Sequence, residues 1–169
     1  LVALHDGDVL VGTSTKAPTG GVGNVPETAV VYRLDFETRT LTTQWPMQPN
    51  TPAVRDMVVM ADGLVYGLAE PNRFFVLDPK QGVFTHDEAL TDYGDVSGWQ
   101  APRCMIMGPD GNIYALFSEA IVCIDPKTLA HHDIARPDVP VTSGIAIVEG
   151  RLYFGSGPRL FSCDLNLDR

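Results

Sequence analysis

The chain is poor in the features that mark most functional classes. Of its 169 residues only 12 are Lys or Arg against 21 Asp or Glu, giving a net charge of −9. A field of that sign repels phosphate backbones and anionic headgroups, so neither nucleic acid nor a membrane surface is an expected partner. No apolar run approaches the roughly 18 residues of a membrane-spanning helix; that lack says nothing about compartment. The three cysteines, Cys104, Cys123 and Cys163, have no C-x-x-C spacing and are odd in number. They exclude the common zinc patterns, support no disulfide framework, and read as small apolar residues inside strands. Helical periodicity is missing as well, because 13 Pro and 16 Gly interrupt any 3.6-residue pattern.

Motifs of catalysis and cofactor binding are equally scarce. Gly20-Gly21-Val22-Gly23 is a partial G-x-G pattern that breaks at Pro26 and opens no helix, so nucleotide binding has no structural context. There is no Ser-His-Asp, P-loop or EF-hand pattern. His131 and His132 are adjacent on a strand and face opposite ways, which prevents joint chelation. His86, beside Asp87 and Glu88, reads as an exposed polar loop residue between repeats. No metal and no cofactor are expected.

What the chain does have is a unit that returns four times. Asp6-Gly7 precedes Val9-Leu10-Val11, and Asp62-Gly63 precedes Leu64-Val65-Tyr66. Asp110-Gly111 precedes Asn112-Ile113-Tyr114, and Glu149-Gly150 precedes Arg151-Leu152-Tyr153. The turn glycines fall at intervals of 56, 48 and 39 residues, and each unit ends a later strand in Asp35, Asp78, Asp125 or Asp164. The first unit carries an insertion over Ser14 to Ala29, rich in Gly and Pro, which reads as a surface loop.

A period of this size made only of short strands predicts an all-β fold, a β-propeller of about four four-stranded repeats. The repeats run approximately 1–53, 54–101, 102–141 and 142–169 within one segment. Strand A precedes each Gly turn, strand B follows it, and strand C alternates apolar residues such as Phe75 and Leu77 or Val122 and Ile124. Strand D leaves as Leu41 to Gln44 and Val83 to Thr85. Asp at the head of Asp78-Pro79-Lys80-Gln81 and Asp125-Pro126-Lys127-Thr128 is type I turn chemistry, its carboxylate capping backbone N–H groups. These acids therefore read as structural rather than catalytic. Tyr66, Tyr114 and Tyr153, each three residues after its Gly, read as packing between blades. The fourth unit stops after strand C and lacks a fourth strand. An open ring exposes strand edges, so the expectation is a partial segment of a propeller of six to eight blades.

The stretches Asp62-Gly63-Leu64-Val65-Tyr66-Gly67 with Phe75-Val76-Leu77-Asp78-Pro79-Lys80, and Asp110-Gly111-Asn112-Ile113-Tyr114-Ala115 with Ile121-Val122-Cys123-Ile124-Asp125-Pro126-Lys127-Thr128, resemble the quinoprotein-like repeats of bacterial β-propellers. The resemblance spans nearly the whole chain and is one of scaffold. Those repeats carry a docking Trp after the Asp turn, whereas Gly82-Val83-Phe84-Thr85-His86 and Leu129-Ala130-His131-His132 hold none, so a quinone cofactor is not implied. The chain also looks like propeller modules embedded in large bacterial proteins that handle polysaccharides.

Superposing the units gives one candidate site. Arg55 and Arg103 each lie eight residues before their turn glycine, and Thr142 holds that place in the fourth unit. This is the start of the innermost strand, at the rim of a propeller channel. Two guanidiniums there would offer planar forks to carboxylates, helped by Trp99, Gln100 and Thr142. The alternative is that each Arg is paired with a nearby acid such as Asp56, Asp92 or Asp95. The expected function is a binding or scaffold module of a larger bacterial protein, recognising a carbohydrate or anionic ligand beside its remaining blades. A glycan-associated role favours a secreted or cell-surface location. The alternative is part of an enzyme, such as a polysaccharide lyase or hydrolase acting on uronate-containing glycans, in which an Arg neutralises the substrate carboxylate and a His or Tyr abstracts the α proton.

Overall fold

A computed structural model describes residues 1–15, 26–96 and 104–165. The chain is all-β, built as four small antiparallel sheets with strands in chain order. The first holds β1 (Val2–Ala3), β2 (Val9–Gly12), β3 (Val30–Asp35) and β4 (Thr40–Pro46). The second holds β5 (Val54–Val59), β6 (Val65–Ala69), β7 (Arg73–Asp78) and β8 (Val83–Ala89). The third holds β9 (Met105–Met107), β10 (Ile113–Leu116), β11 (Ile121–Ile124) and β12 (His131–Ala135). The fourth holds three strands, β13 (Ser143–Val148), β14 (Arg151–Ser156) and β15 (Arg159–Asp164). The chain divides into two compact units, Leu1–Ala89 and Leu90–Arg169.

The turns explain why each sheet is a meander. Gly7, Gly63, Gly111 and Gly150 all have positive φ, the conformation a tight reversal needs and one that a Cβ disfavours. Asp62 Oδ1 accepts from the Leu64 amide at 2.9 Å and Asp110 Oδ1 from the Asn112 amide at 3.1 Å, closing the turn with a local carboxylate. The turn after strand C is fixed the same way. Asp78 Oδ1 accepts from the amides of Lys80 and Gln81 at 2.9 and 3.0 Å. Asp35 accepts from Thr38, and Asp125 from Lys127 and Thr128. Hydrogen bonds to the ionised form hold all three carboxyls below the usual range, led by the Gln81, Thr38 and Lys127 amides respectively. Asp164 departs from this pattern and pairs with Arg151 at 3.2 Å.

In the first unit the core lies between the facing rows of the first two sheets: Leu10, Val31, Trp45, Met47, Met57, Val65, Phe75 and Leu77. Phe75 and Leu77 are fully buried, each contributing about 1.5–3 kcal/mol by removal from water. In the second unit Ile113, Leu116, Phe117, Ile121, Ile124 and Leu152 are fully buried. Tyr66 and Tyr114 are packed inside as expected, but Tyr153 is only half-buried.

The histidines depart from the sequence reading. His86 is not in a loop: β8 runs on to Ala89, and its ring lies 5.6 Å from that of Phe74 while Nε2 meets Glu88 at 3.2 Å. A polar run at the outer edge of a sheet looks like a loop, yet β7 pairs with it along its length, with one register shift at Val76 and Leu77. Ten residues of the insertion, 16–25, lie outside the described residues. Its stem is pinned by Ser14 bridging Ala53 and by the Ala29 amide bonding Thr51 O at 2.8 Å.

Candidate functional site

Arg55 is the second residue of β5, near the start of a first strand as the repeat predicts. Its Nη2 forms an ion pair with Glu70, just beyond the end of β6, with both side chains largely buried. None of the acids considered from sequence is this partner. Asp56 Oδ1 accepts from the Met57 amide at 3.0 Å. The Nε of Arg55 is buried and has no hydrogen-bond partner. Trp99, Gln100 and Arg103 lie outside the described residues. Thr142 belongs to the second unit, where its hydroxyl donates to Gly155 O at 3.2 Å and accepts from the Gly157 amide at 3.0 Å. It ties down its own hairpin.

The first unit also holds a charged cleft that the repeat pattern does not reveal. A cavity of about 260 Å³ is lined by Leu4, His5, Asp6, Arg33, Pro79 and Lys80, with Gly63. Arg33, projecting from β3, is forked between Asp8 and Asp6, both at 2.7 Å. The Asp8 hydrogen bond leads in raising its already high pKa. His5 Nε2 meets Met60 O at 3.0 Å. Arg33 therefore braces the Asp6-Gly7-Asp8 turn against the third strand, with its charge locally neutralised. The sequence signal is an acid on each side of a turn glycine opposite an Arg two strands away.

The second unit gathers two further groups. Tyr93, in a short 3₁₀ turn at Thr91–Tyr93, is buried, and its hydroxyl meets His131 Nδ1 at 2.9 Å. Its ring packs on Phe117 at 5.7 Å, and Arg136 lies 5.6 Å over its face, a cation–π contact. In the third sheet Tyr114 donates to Asp110 at 2.8 Å. Burial and that bond push its pKa far up, and burial raises the Cys123 thiol; neither group is poised to ionise. A second cavity, of about 410 Å³, lies between the Ala135–Val139 connector and the fourth sheet, lined by Phe154, Phe161 and Cys163. The two rings are stacked at 5.7 Å.

No family model matches the chain, and no curated protein matches it in sequence. Among solved structures it is similar to one described as the extracellular domain of a hybrid two component system, BT4673, from B. thetaiotaomicron. The TM-score is 0.64 at 13% identity, covering 92% of this chain and 19% of that one. A second, described as the extracellular domain of a one component system BT4673 from the same organism, gives 0.62 at 10% identity, covering 86% and 22%. The chain spans about a fifth of the length of these structures. At such identities the likeness is one of fold alone.

Proposed function

We propose that the chain is a run of consecutive blades of a β-propeller of six to eight, of the quinoprotein-like repeat type. In this reading it acts as a non-catalytic binding or scaffold module of a larger bacterial protein. The observation that carries the reading is the fourfold return of one meander, with the same Gly reversal and, in three units, the same Asp-capped turn. The likeness to about a fifth of much larger extracellular domains agrees with it. An atomic structure of the intact protein tests it: sheets set radially about one axis are expected, and sheets stacked as a flat sandwich would reject it.

The ligand in this reading is a carbohydrate bearing carboxylates, met at the start of β5 by Arg55; the repeat nominates Arg103, Trp99, Gln100 and Thr142 as further site residues. Glu70 holds the Arg55 guanidinium in place, so Arg55 offers oriented N–H donors more than free charge. Calorimetry with uronate and neutral oligosaccharides tests the site. The expected result is selective binding of the uronate form, weakened at least about tenfold in the Arg55→Ala, Arg103→Ala double variant, as loss of charge-assisted hydrogen bonds implies. Absent binding in the parent, or equal affinity in the variant, rejects it. The lyase alternative needs a base within reach of an Arg. Tyr93 is buried with its hydroxyl committed to His131, which favours a packing role.

A further inference from the structure

The groove of about 260 Å³ in the first unit carries side chains that the repeat does not require. The first sheet lines it with Leu4, His5, Asp6 and Arg33, and the second with Pro79 and Lys80 over Gly63. Gly63 follows the end of β5, whereas Arg55 stands near its start, so the groove lies at the other end of that strand from the site proposed above. Val76, Cys123 and Ser162 hold the place of Arg33, two residues before the strand-ending Asp. Ala61, Pro109 and Val148 hold the place of His5, two residues before the turn glycine. The meander forms without an arginine or a histidine at these places, so folding alone does not account for them.

Each polar group of the groove keeps hydrogen-bonding capacity after its internal contacts. A guanidinium has five N–H donors. Arg33 commits Nε to Asp8, Nη2 to Asp6 and Nη1 to Pro79 O, at 2.7, 2.7 and 3.4 Å, which leaves one N–H on each Nη. Lys80 is exposed, and its ammonium lies over the Gly63 turn, where a Cβ would meet Nζ at 3.8 Å. The neighbouring Asp78 carboxylate is turned to the Lys80 and Gln81 amides. Met60 O can only accept, so His5 Nε2 carries the proton in their 3.0 Å contact, and Nδ1 of the neutral ring is an acceptor. The half-exposed Asp6 carboxylate has lone pairs beyond those used by Arg33 and the Asp8 amide. Leu4 and Pro79, both buried, supply the apolar wall.

We propose that this groove binds a small hydroxylated carboxylate. The carboxylate meets Lys80 Nζ and the two remaining N–H groups of Arg33, the hydroxyls donate to Asp6 and to His5 Nδ1, and the carbon chain lies on Leu4 and Pro79. The lining disfavours other classes. A phosphate dianion would stand beside Asp6 and Asp8. A metal cation would face the ammonium and the guanidinium, and no cluster of acids, histidines or cysteines able to hold one occurs among the described residues. The volume is below the roughly 300–1,000 Å³ of pockets for drug-sized ligands, which suits one short chain or ring rather than an oligomer. The assignment does not depend on the Arg55 site.

The test titrates the isotope-labelled chain with glycerate, with propionate, which lacks the hydroxyls, and with glycerol, which lacks the carboxylate. The readout is the amide shifts of Asp6, Gly63 and Lys80. Saturable shifts are expected with glycerate, in the millimolar range that suits so few atoms, and weaker binding with the other two. Lys80→Gln should weaken glycerate binding at least about tenfold, as loss of a charge-assisted contact implies. Unchanged amide shifts elsewhere in that variant confirm that it keeps its fold. No saturable shift at these turns overturns the proposal, as does equal affinity in Lys80→Gln. Propionate or glycerol binding as tightly as glycerate overturns it too. Shifts confined to Val54–Asp56 also overturn it, because the ligand would then occupy the Arg55 site; rejection of that site leaves the groove standing.

Discussion

The second sheet and the fourth are built to one plan and finished differently. In the second, every residue of β6 is buried, as are the last five of β7. In the fourth, β14 alternates between buried and half-exposed positions, and β15 has no fully buried residue. The strand-C aromatic shows how this comes about. A Cβ at Gly67 would overlap the ring of Phe75, so Phe75 folds flat over its cross-strand neighbour and is then covered by Phe84. The position opposite Phe161 is occupied by Phe154, which lifts the ring into a stack beside a cavity. Identical turns therefore do not give identical cores; Phe75 and Leu77 are buried by the facing row of the first sheet together with Phe84.

That contrast is open to direct attack, beginning with its largest expected effect. Phe75→Ala should lower unfolding stability by about 3–5 kcal/mol, whereas Phe161→Ala should cost only about 1–2 kcal/mol because its site already borders a void; urea titrations decide. Equal losses would mean that the fourth sheet is as well packed as the second. Gly67→Ala comes next, at about 1–3 kcal/mol, since the added methyl group must displace a buried ring. A smaller effect is expected at the paired arginines. Arg73→Ala leaves Asp87 half-buried without its partner and should cost about 1 kcal/mol, while Arg159→Ala should change stability by less than about 0.5 kcal/mol.

The smallest effect is a pH dependence. The native Asp78 carboxyl lies below its ordinary range because amides of Gln81 and Lys80 bond its ionised form. Its contribution is therefore present above the unfolded carboxylate pKa of about 4 and is lost as pH falls through the depressed native value. Asp78→Asn should flatten the acid limb of the stability profile below about pH 5. An unchanged limb would show that the turn does not depend on the charge.

Local chemistry accounts for what could be read from the sequence. The Gly reversals, the Asp caps and the order of strands depend on residues within a few positions of one another, and all but a cap at Asp164 appear where the repeat places them. The charged contacts depend on register and were not legible. Glu70 reaches Arg55 across the β5–β6 hairpin, where the register shifts between Val54 and Asp56. Arg33 finds its two acids 25 and 27 residues away. The extent of β8 was hidden because an outer strand carries polar residues and a register shift at Val76 and Leu77 breaks its alternation. Of the five residues proposed for a rim site, Trp99, Gln100 and Arg103 fall outside the described residues, Arg55 is engaged by Glu70, and Thr142 secures its own hairpin.

Amide hydrogen exchange along the two third strands tests the comparison most directly. The β7 amides, in a strand whose last five residues are buried, should be protected by orders of magnitude more than those of β15, which has no fully buried residue. Equal protection of both sets would contradict the account, because the fourth sheet would then be as well packed as the second.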